Sequence, residues 1–284
     1  MGDDLEGVQE EERRRTMKRL EGKVALVTGA AQGIGAGISR VLATHGAVVA
    51  LTDISDAVME TAKALRGDGL TAHGWVMDVT DRAQVDGVVE KVIAEHGRVD
   101  ILVNNAGIYP RRRLVEMDDD FVTRMFEVNV FGMFRCARAV LPWMMERRYG
   151  KIVNMSSVTG PMVGTPAGGQ TAYAATKSAV QGFTVALALE TAQHGINVNC
   201  VMPGYIESRS AWGLRGSRVE EDADEAMREF GMKIPWGRQG TPEEVGELVL
   251  FLSSDESRYI TGASVVIDGG NILQEEFLGP YPPK

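Results

Sequence analysis

From Gly22 onward, short apolar runs alternate with longer stretches whose apolar residues recur at helical spacing. The runs 23–28, 47–52, 71–77, 100–103, 151–155, 196–201 and 264–267 read as strands. They are β-branched and nearly continuously apolar, the pattern of strands covered on both faces. The stretches 34–45, 55–66, 82–96, 118–147, 172–194 and 241–253 read as helices. In 82–96, Val85, Val88, Val89, Val92 and Ile93 line one face. Pro142 predicts a kink in the fourth helix. Thr241-Pro242 opens the last one as an N-cap followed by proline at the first helical position.

Strand and helix alternate throughout. The expectation is an α/β protein: one doubly wound Rossmann-type domain over residues 22–270, with a seven-stranded parallel sheet and helices on both faces. Residues 205–238 have no strand pattern and carry Trp212, Met232 and Trp236, which suits a helical excursion or substrate lid over one end of the sheet. Residues 1–21, with an unbroken charged run from Glu10 to Arg15, read as a disordered extension. Residues 271–284 form a tail rich in proline and aromatic side chains, which suggests packing over a neighbouring subunit.

Composition narrows the choice. The net charge of −9 is a poor match for nucleic acid, whose non-specific binding rests on Lys and Arg neutralising phosphates. No apolar run is long enough to cross a bilayer, and the charged start does not resemble a signal peptide. The expectation is a cytoplasmic protein with no membrane or nucleic-acid partner. Cys136 and Cys200 lie far apart in apolar segments and read as buried free thiols. No His/Cys cluster has metal-ligand spacing, so no metal is expected.

Chemistry concentrates at the ends of the predicted strands. The first runs into Thr28-Gly29-Ala30-Ala31-Gln32-Gly33-Ile34-Gly35. Glycines at 29, 33 and 35 allow a sharp turn and bring backbone N–H groups to the start of a helix, where a pyrophosphate can sit. The same cluster could be only a tight turn between strand and helix. The second strand ends at Asp53, twenty residues beyond Gly33. A carboxylate there can accept hydrogen bonds from the ribose hydroxyls of NAD and would repel the extra phosphate of NADP; it could also simply cap a helix near Ser55. No Arg or Lys lies between Gly29 and Gly35. Asp78 and Val79 end the third strand, where Asp78 could meet an adenine amino group, or where Asp78 or Thr80 could cap the next helix. Asn104-Asn105-Ala106-Gly107 ends the fourth and suits close passage of a cofactor, although it could be a turn. Tyr173 and Lys177 are four apart at a helix start, so phenol and ammonium share a face. A neighbouring positive charge lowers a tyrosine pKa and makes the phenol a usable base.

Together, TGAAQGIG at 28–35, NNAG at 104–107, Asn129, Ser156-Ser157, YAATK at 173–177 and Pro203-Gly204 occur in the order that marks the short-chain dehydrogenase/reductase family. The resemblance spans residues 22–270 and implies the roles that follow. Tyr173 moves the hydroxyl proton, Lys177 lowers its pKa and binds the nicotinamide ribose, and Ser157 polarises the substrate oxygen. Asn129 holds a water in a proton relay. Gly29, Gln32, Gly33, Ile34, Gly35, Asp53, Asp78, Val79, Asn105, Ala106 and Gly107 line the cofactor, with Pro203, Gly204, Ile206 and Ser208 against the nicotinamide. Taken alone, Asn129 could be a buried amide satisfying backbone, and Ser157 a strand-end cap. The segment 158–172 is longer than in many members, which leaves Ser156 and Ser157 as alternatives; Val158-Thr159-Gly160 favours Ser157. Ser208 stands where many members carry threonine.

The reading is an NAD(H)-dependent oxidoreductase acting on a secondary alcohol or ketone. The alternatives are an NADPH-dependent 3-oxoacyl-carrier-protein reductase and a non-catalytic dinucleotide sensor. Arg111-Arg112-Arg113 lies near the expected pocket and reads either as an anion site or, preferred, as a solvated or subunit-contacting stretch. Family members are usually tetramers, and the helices at 118–147 and 172–194 are the expected interface.

Overall fold

The computed structural model describes residues 18–164, 168–207 and 231–274. Seven strands are present: β1 (Val24–Thr28), β2 (Val48–Asp53), β3 (Ala72–Val76), β4 (Ile101–Asn104), β5 (Gly150–Met155), β6 (Ile196–Pro203) and β7 (Ser264–Ile267). They form one parallel sheet in the order β3-β2-β1-β4-β5-β6-β7. The order reverses direction between β1 and β4, and a crevice at such a point is where open α/β sheets place their ligands.

Helices α1 (Gly33–Thr44), α2 (Ala57–Gly67), α3 (Arg82–His96), α4 (Asp119–Phe126), α5 (Gly132–Arg147), α6 (Thr171–Thr191) and α7 (Pro242–Ser253) connect the strands. Strand alternation divides the core between two faces. Ala25, Val27, Val49, Leu51, Ile101 and Val103 pack with Ile38 and Leu42 of α1, Val58 and Leu65 of α2 and Val245 and Val249 of α7. Val24, Leu26, Ala50, Leu102 and Ile152 face the other way, onto α3, α5 and α6 through Val88, Val92, Val140, Met144 and Leu187. α1 and α7 meet closely at glycines. A Cβ on Gly37 would lie 2.4 Å from Pro242 Cβ, and one on Gly246 would lie 2.8 Å from Val41 Cγ2.

Three sequence expectations shift. The fold begins before residue 22: Leu20 is fully buried and donates its N–H to the His45 carbonyl at 2.9 Å, and Arg19 reaches Glu256 at 3.0 Å. The region 118–147 departs from regular α-helix at Glu127–Phe131, a π-helical turn between α4 and α5, whereas α5 runs on through Pro142. Asp81, not Asp78 or Thr80, caps α3, accepting from Ala83 N at 2.9 Å and Gln84 N at 3.2 Å. The proposed lid falls mostly on 208–230, and the tail and the extension fall mostly on 275–284 and 1–17, all outside the described residues.

Candidate active site

The carboxyl ends of β1, β2, β4, β5 and β6 converge on one rim. At the end of β1, Gly29 and Gly33 take φ of +66° and +57°, a left-handed conformation that glycine adopts without strain. The turn is also tight. A Cβ on Gly35 would lie 2.2 Å from the Gly29 carbonyl oxygen, and one on Gly29 would lie 2.8 Å from Ala106 Cα. Gln32 precedes α1 without a side-chain cap, and the first turn of α1 carries no acidic residue. The N–H groups of that first turn present partial positive charge beside the glycines, an arrangement that fits a diphosphate. Ile34 packs against the core on the β1–α7 side.

Asn105 holds this turn in place. Its Nδ2 donates to the carbonyls of Thr28 and Gly29, both at 2.9 Å. Thr28 Oγ1 accepts from the N–H groups of Asn105 and Ala106, both at 3.0 Å, and donates to the Val103 carbonyl at 3.3 Å. Thr28 is thus a structural hub that motif reading passed over; its signal was a hydroxyl at the last position of a buried strand.

Asp53 ends β2 with both oxygens engaged by backbone: Oδ2 accepts from Ala31 N at 3.1 Å and Oδ1 from Ser55 N at 2.9 Å. It fastens the glycine turn to β2 and presents a charge there. Asp78 accepts from the N–H and hydroxyl of Thr80, both at 2.8 Å, in a local turn. Val79 is buried against α5, where a Cβ on Gly132 would lie 2.7 Å from Val79 Cγ2.

The two serines that follow β5 meet different residues of α6. Ser156 Oγ donates to the Lys177 carbonyl at 2.7 Å. Ser157 stands at the Tyr173 phenol, whose pKa it pulls down, and accepts from Thr159 N at 3.1 Å. Lys177 is buried, with its Nζ 5.6 Å from the centre of the Tyr173 ring. That ammonium donates to the Met155 carbonyl at 2.8 Å.

Burial pushes Tyr173 up to about 12; the Ser157 hydrogen bond works against the rise and nearby Tyr109 adds to it. Burial draws Lys177 down to about 8. The expected lowering of the tyrosine pKa by Lys177 is therefore not supplied by the polypeptide alone, because desolvation outweighs the other influences on the phenol.

Asn129 lies in the π-helical turn. Its Oδ1 accepts from Ile108 N at 2.8 Å, and its Nδ2 donates to the Ile108 carbonyl at 2.9 Å and to Thr176 Oγ1 at 3.2 Å. The amide clamps the loop after β4 to α6. Gly107 lies over this pair: a Cβ there would be 3.4 Å from Asn129 Oδ1 and 3.7 Å from Lys177 Nζ. Tyr109 presents its ring edge-on to Tyr173 at 6.4 Å. Arg112 is committed to scaffolding, bonded to Asp118 at 3.0 Å and placed over the Phe121 ring. Gly204 at the end of β6 packs on Asp268, where a Cβ would lie 2.6 Å from Asp268 Cβ, while Ile206 is buried and the Pro203 carbonyl accepts from Val158 N at 3.2 Å. Ser208 lies outside the described residues.

The fold agrees with what sequence comparison finds. Residues 29–271 match the family model described as enoyl-(acyl carrier protein) reductase. The chain is 46% identical over 259 residues to oxidoreductase UcpA of Escherichia coli, covering 91% of this chain and 98% of that one. The chain is a short-chain dehydrogenase/reductase.

This short-chain dehydrogenase/reductase is also 44% identical over 260 residues to a 3-oxoacyl-[acyl-carrier-protein] reductase, FabG, of Thermotoga maritima, covering 90% of this chain and all of that one. Among solved structures, a putative gluconate dehydrogenase from Agrobacterium tumefaciens superimposes with a TM-score of 0.81 at 30% identity, over 90% of this chain and 98% of that one. The family uses a nicotinamide cofactor and carries out oxidoreduction.

Proposed function

We propose that this short-chain dehydrogenase/reductase interconverts a secondary alcohol and a ketone with NAD(H), Tyr173 serving as acid–base residue. The observation that carries the reading is the convergence of Ser157, Tyr173 and Lys177 on one rim beside the glycine turn. Bound nicotinamide supplies the hydride acceptor or donor. The chain's own groups do the rest. Tyr173 takes the hydroxyl proton in oxidation and returns it in reduction. Ser157 hydrogen-bonds the developing alkoxide. Lys177, held at both ends by Met155 and Ser156, keeps a positive charge beside the phenol. Gly29, Gly33, Gly35 and the start of α1 hold the diphosphate, with Asn105 and Ala106 fixing their shape.

Asp53 supports NAD over NADP. Its carboxylate stands at the end of β2, tied to the turn through Ala31, and a 2′-phosphate brought there would meet like charge. The competing reading, an NADPH-dependent 3-oxoacyl-carrier-protein reductase, is favoured by the likeness to FabG. A dinucleotide sensor is disfavoured by the intact Asn129, Ser157, Tyr173 and Lys177 set. The distinguishing experiment follows NAD⁺ and NADP⁺ reduction over a panel of polyols, hydroxy acids and steroid alcohols, with acetoacetyl thioesters tested in reverse. Turnover of a secondary alcohol with NAD⁺ is expected. Thioester reduction with NADPH alone would overturn the proposal, and tight NADH binding without any turnover would favour the sensor.

A homotetramer is part of this proposal. Phe126, Phe131, Phe134, Phe183 and Leu187 line an apolar groove of about 520 Å³ between the π-helical turn, α5 and α6. Phe131 and Phe134 are 45% and 48% exposed, an unusual state for adjacent large apolar groups on a monomer surface. No described helix is long and apolar enough to cross a membrane, and a cytoplasmic location belongs to the same reading.

A further inference from the structure

Thr176 lies between Tyr173 and Lys177 on α6 and has no exposed surface. Its hydroxyl donates to the Tyr173 carbonyl at 2.7 Å and accepts from Asn129 Nδ2 at 3.2 Å. Asn129 in turn grips both backbone groups of Ile108 at 2.8 and 2.9 Å. The next residue, Tyr109, sets its ring edge-on against Tyr173 at 6.4 Å. The contacts close a circuit: Tyr173, Thr176, Asn129, Ile108, Tyr109 and back to Tyr173. Three separate elements meet in it, namely the first turn of α6, the π-helical turn and the loop after β4.

We propose that Thr176 is a positioning residue that fixes the catalytic phenol relative to the loop after β4 that carries Tyr109. The inference rests on the reading of Tyr173 as the acid–base group. Thr176 touches neither substrate nor cofactor; it acts through Asn129 and through the backbone of Tyr173. A threonine bonding back to the carbonyl three residues earlier is an ordinary way to satisfy a hydroxyl within a helix. The second bond, received from Asn129, is what joins this helix to another element. Without the hydroxyl, Asn129 Nδ2 keeps only Ile108, and α6 loses this hydrogen bond to the π-helical turn. The loop carrying Tyr109 and the helix carrying Tyr173 can then shift against each other. Displacements of a fraction of an ångström at a reacting group are costly to rate.

Thr176→Val preserves shape and removes the hydroxyl; Thr176→Ser keeps the hydroxyl and removes the methyl. Both are made in the full chain and read in two ways. The first needs no substrate: with tyrosine labelled at ¹³Cζ, the Tyr173 resonance is assigned by its loss in Tyr173→Phe and recorded at neutral pH. The second uses whichever alcohol the panel identifies. In Thr176→Val, the Tyr173 resonance is expected to shift or broaden, and kcat to fall about tenfold with KM within about twofold. In Thr176→Ser, both are expected to return to the parent values. A valine variant matching the parent in resonance and kcat would overturn the proposal, as would a serine variant as impaired as valine while keeping the parent's thermal midpoint. If no alcohol is turned over at all, the acid–base reading fails, and the resonance alone still decides whether Thr176 positions Tyr173.

Discussion

Ser156 and Ser157 are neighbours with different tasks: Ser156 Oγ donates to the Lys177 carbonyl at 2.7 Å, and Ser157 stands at the Tyr173 phenol and pulls its pKa down. Ser157→Ala is therefore expected to lower kcat by about 10²–10³, the usual effect of removing one donor to a developing oxyanion, and to leave thermal stability near the parent value. Ser156→Ala is expected to cost about 1–2 kcal/mol of stability, because it leaves a buried carbonyl one bond short. Steady-state kinetics and urea unfolding of both variants check the assignment; the reverse pattern would make Ser156 the catalytic serine.

Lys177 carries a stability cost that depends on pH. Burial lowers its pKa from 10.5 to about 8, so folding disfavours the charged form. The cost is full below about pH 8. It is relieved as pH rises from 8 towards 10.5, where the unfolded chain still holds a proton that the folded chain has released. Lys177→Met is expected to abolish turnover and to gain roughly 1–2 kcal/mol at pH 7, after allowing for the lost bond to the Met155 carbonyl. The gain should shrink at pH 9.5. Urea denaturation at the two pH values measures it, and a methionine variant less stable than the parent at pH 7 contradicts the reasoning.

Asp53 should set cofactor choice. Asp53→Ser removes the charge and the two backbone bonds to Ala31 and Ser55. The ratio of kcat/KM for NADP⁺ over NAD⁺ is expected to rise about tenfold or more, equivalent to roughly 1.4 kcal/mol. An unchanged ratio would remove the case for NAD.

Two glycines in helices should respond in opposite directions. Gly37→Ala places a Cβ 2.4 Å from Pro242 Cβ, where α1 meets α7, and is expected to cost about 1–3 kcal/mol. Gly87→Ala, inside α3 with nothing within 4 Å of the new Cβ, is expected to gain about 0.5–1 kcal/mol. Thermal midpoints of the two variants provide the comparison.

The apolar groove supplies a prediction about assembly. Phe134 is half exposed beside Phe183, their ring centres 4.4 Å apart. Phe134→Glu puts a charge at the centre of the proposed interface and is expected to lower the mass measured by light scattering to that of a dimer or monomer. A full-mass assembly would place the interface elsewhere.

Much of the site was legible because its chemistry is local. Glycines 29, 33 and 35 fall between a buried strand and a helix, and the spacing of Tyr173 and Lys177 is fixed by helical pitch. Asn129 as a buried amide satisfying backbone was legible, but the hub at Thr28 and the Asn129–Thr176 bond were not, since their partners lie far away in sequence. Pro142, the obvious helix breaker, drew the expectation of a kink, but nothing in the sequence marked the irregular turn. It lies at Glu127–Phe131, beside the Asn129 bonds to Ile108 and Thr176, which link the turn to two other elements.

Sequence alone determined the α/β class, the seven parallel strands, the family and the set of polar residues at the strand ends, since hydrophobic period and glycine placement are properties of short segments. Tertiary structure decided which serine meets Tyr173, what holds Lys177, and that Asp53 is tied to the glycine turn. It also decided the direction in which Tyr173 is shifted. Those outcomes depend on burial and on bonds between segments brought together only by the sheet, and the cost of desolvating a phenol or an ammonium is set by everything packed around it.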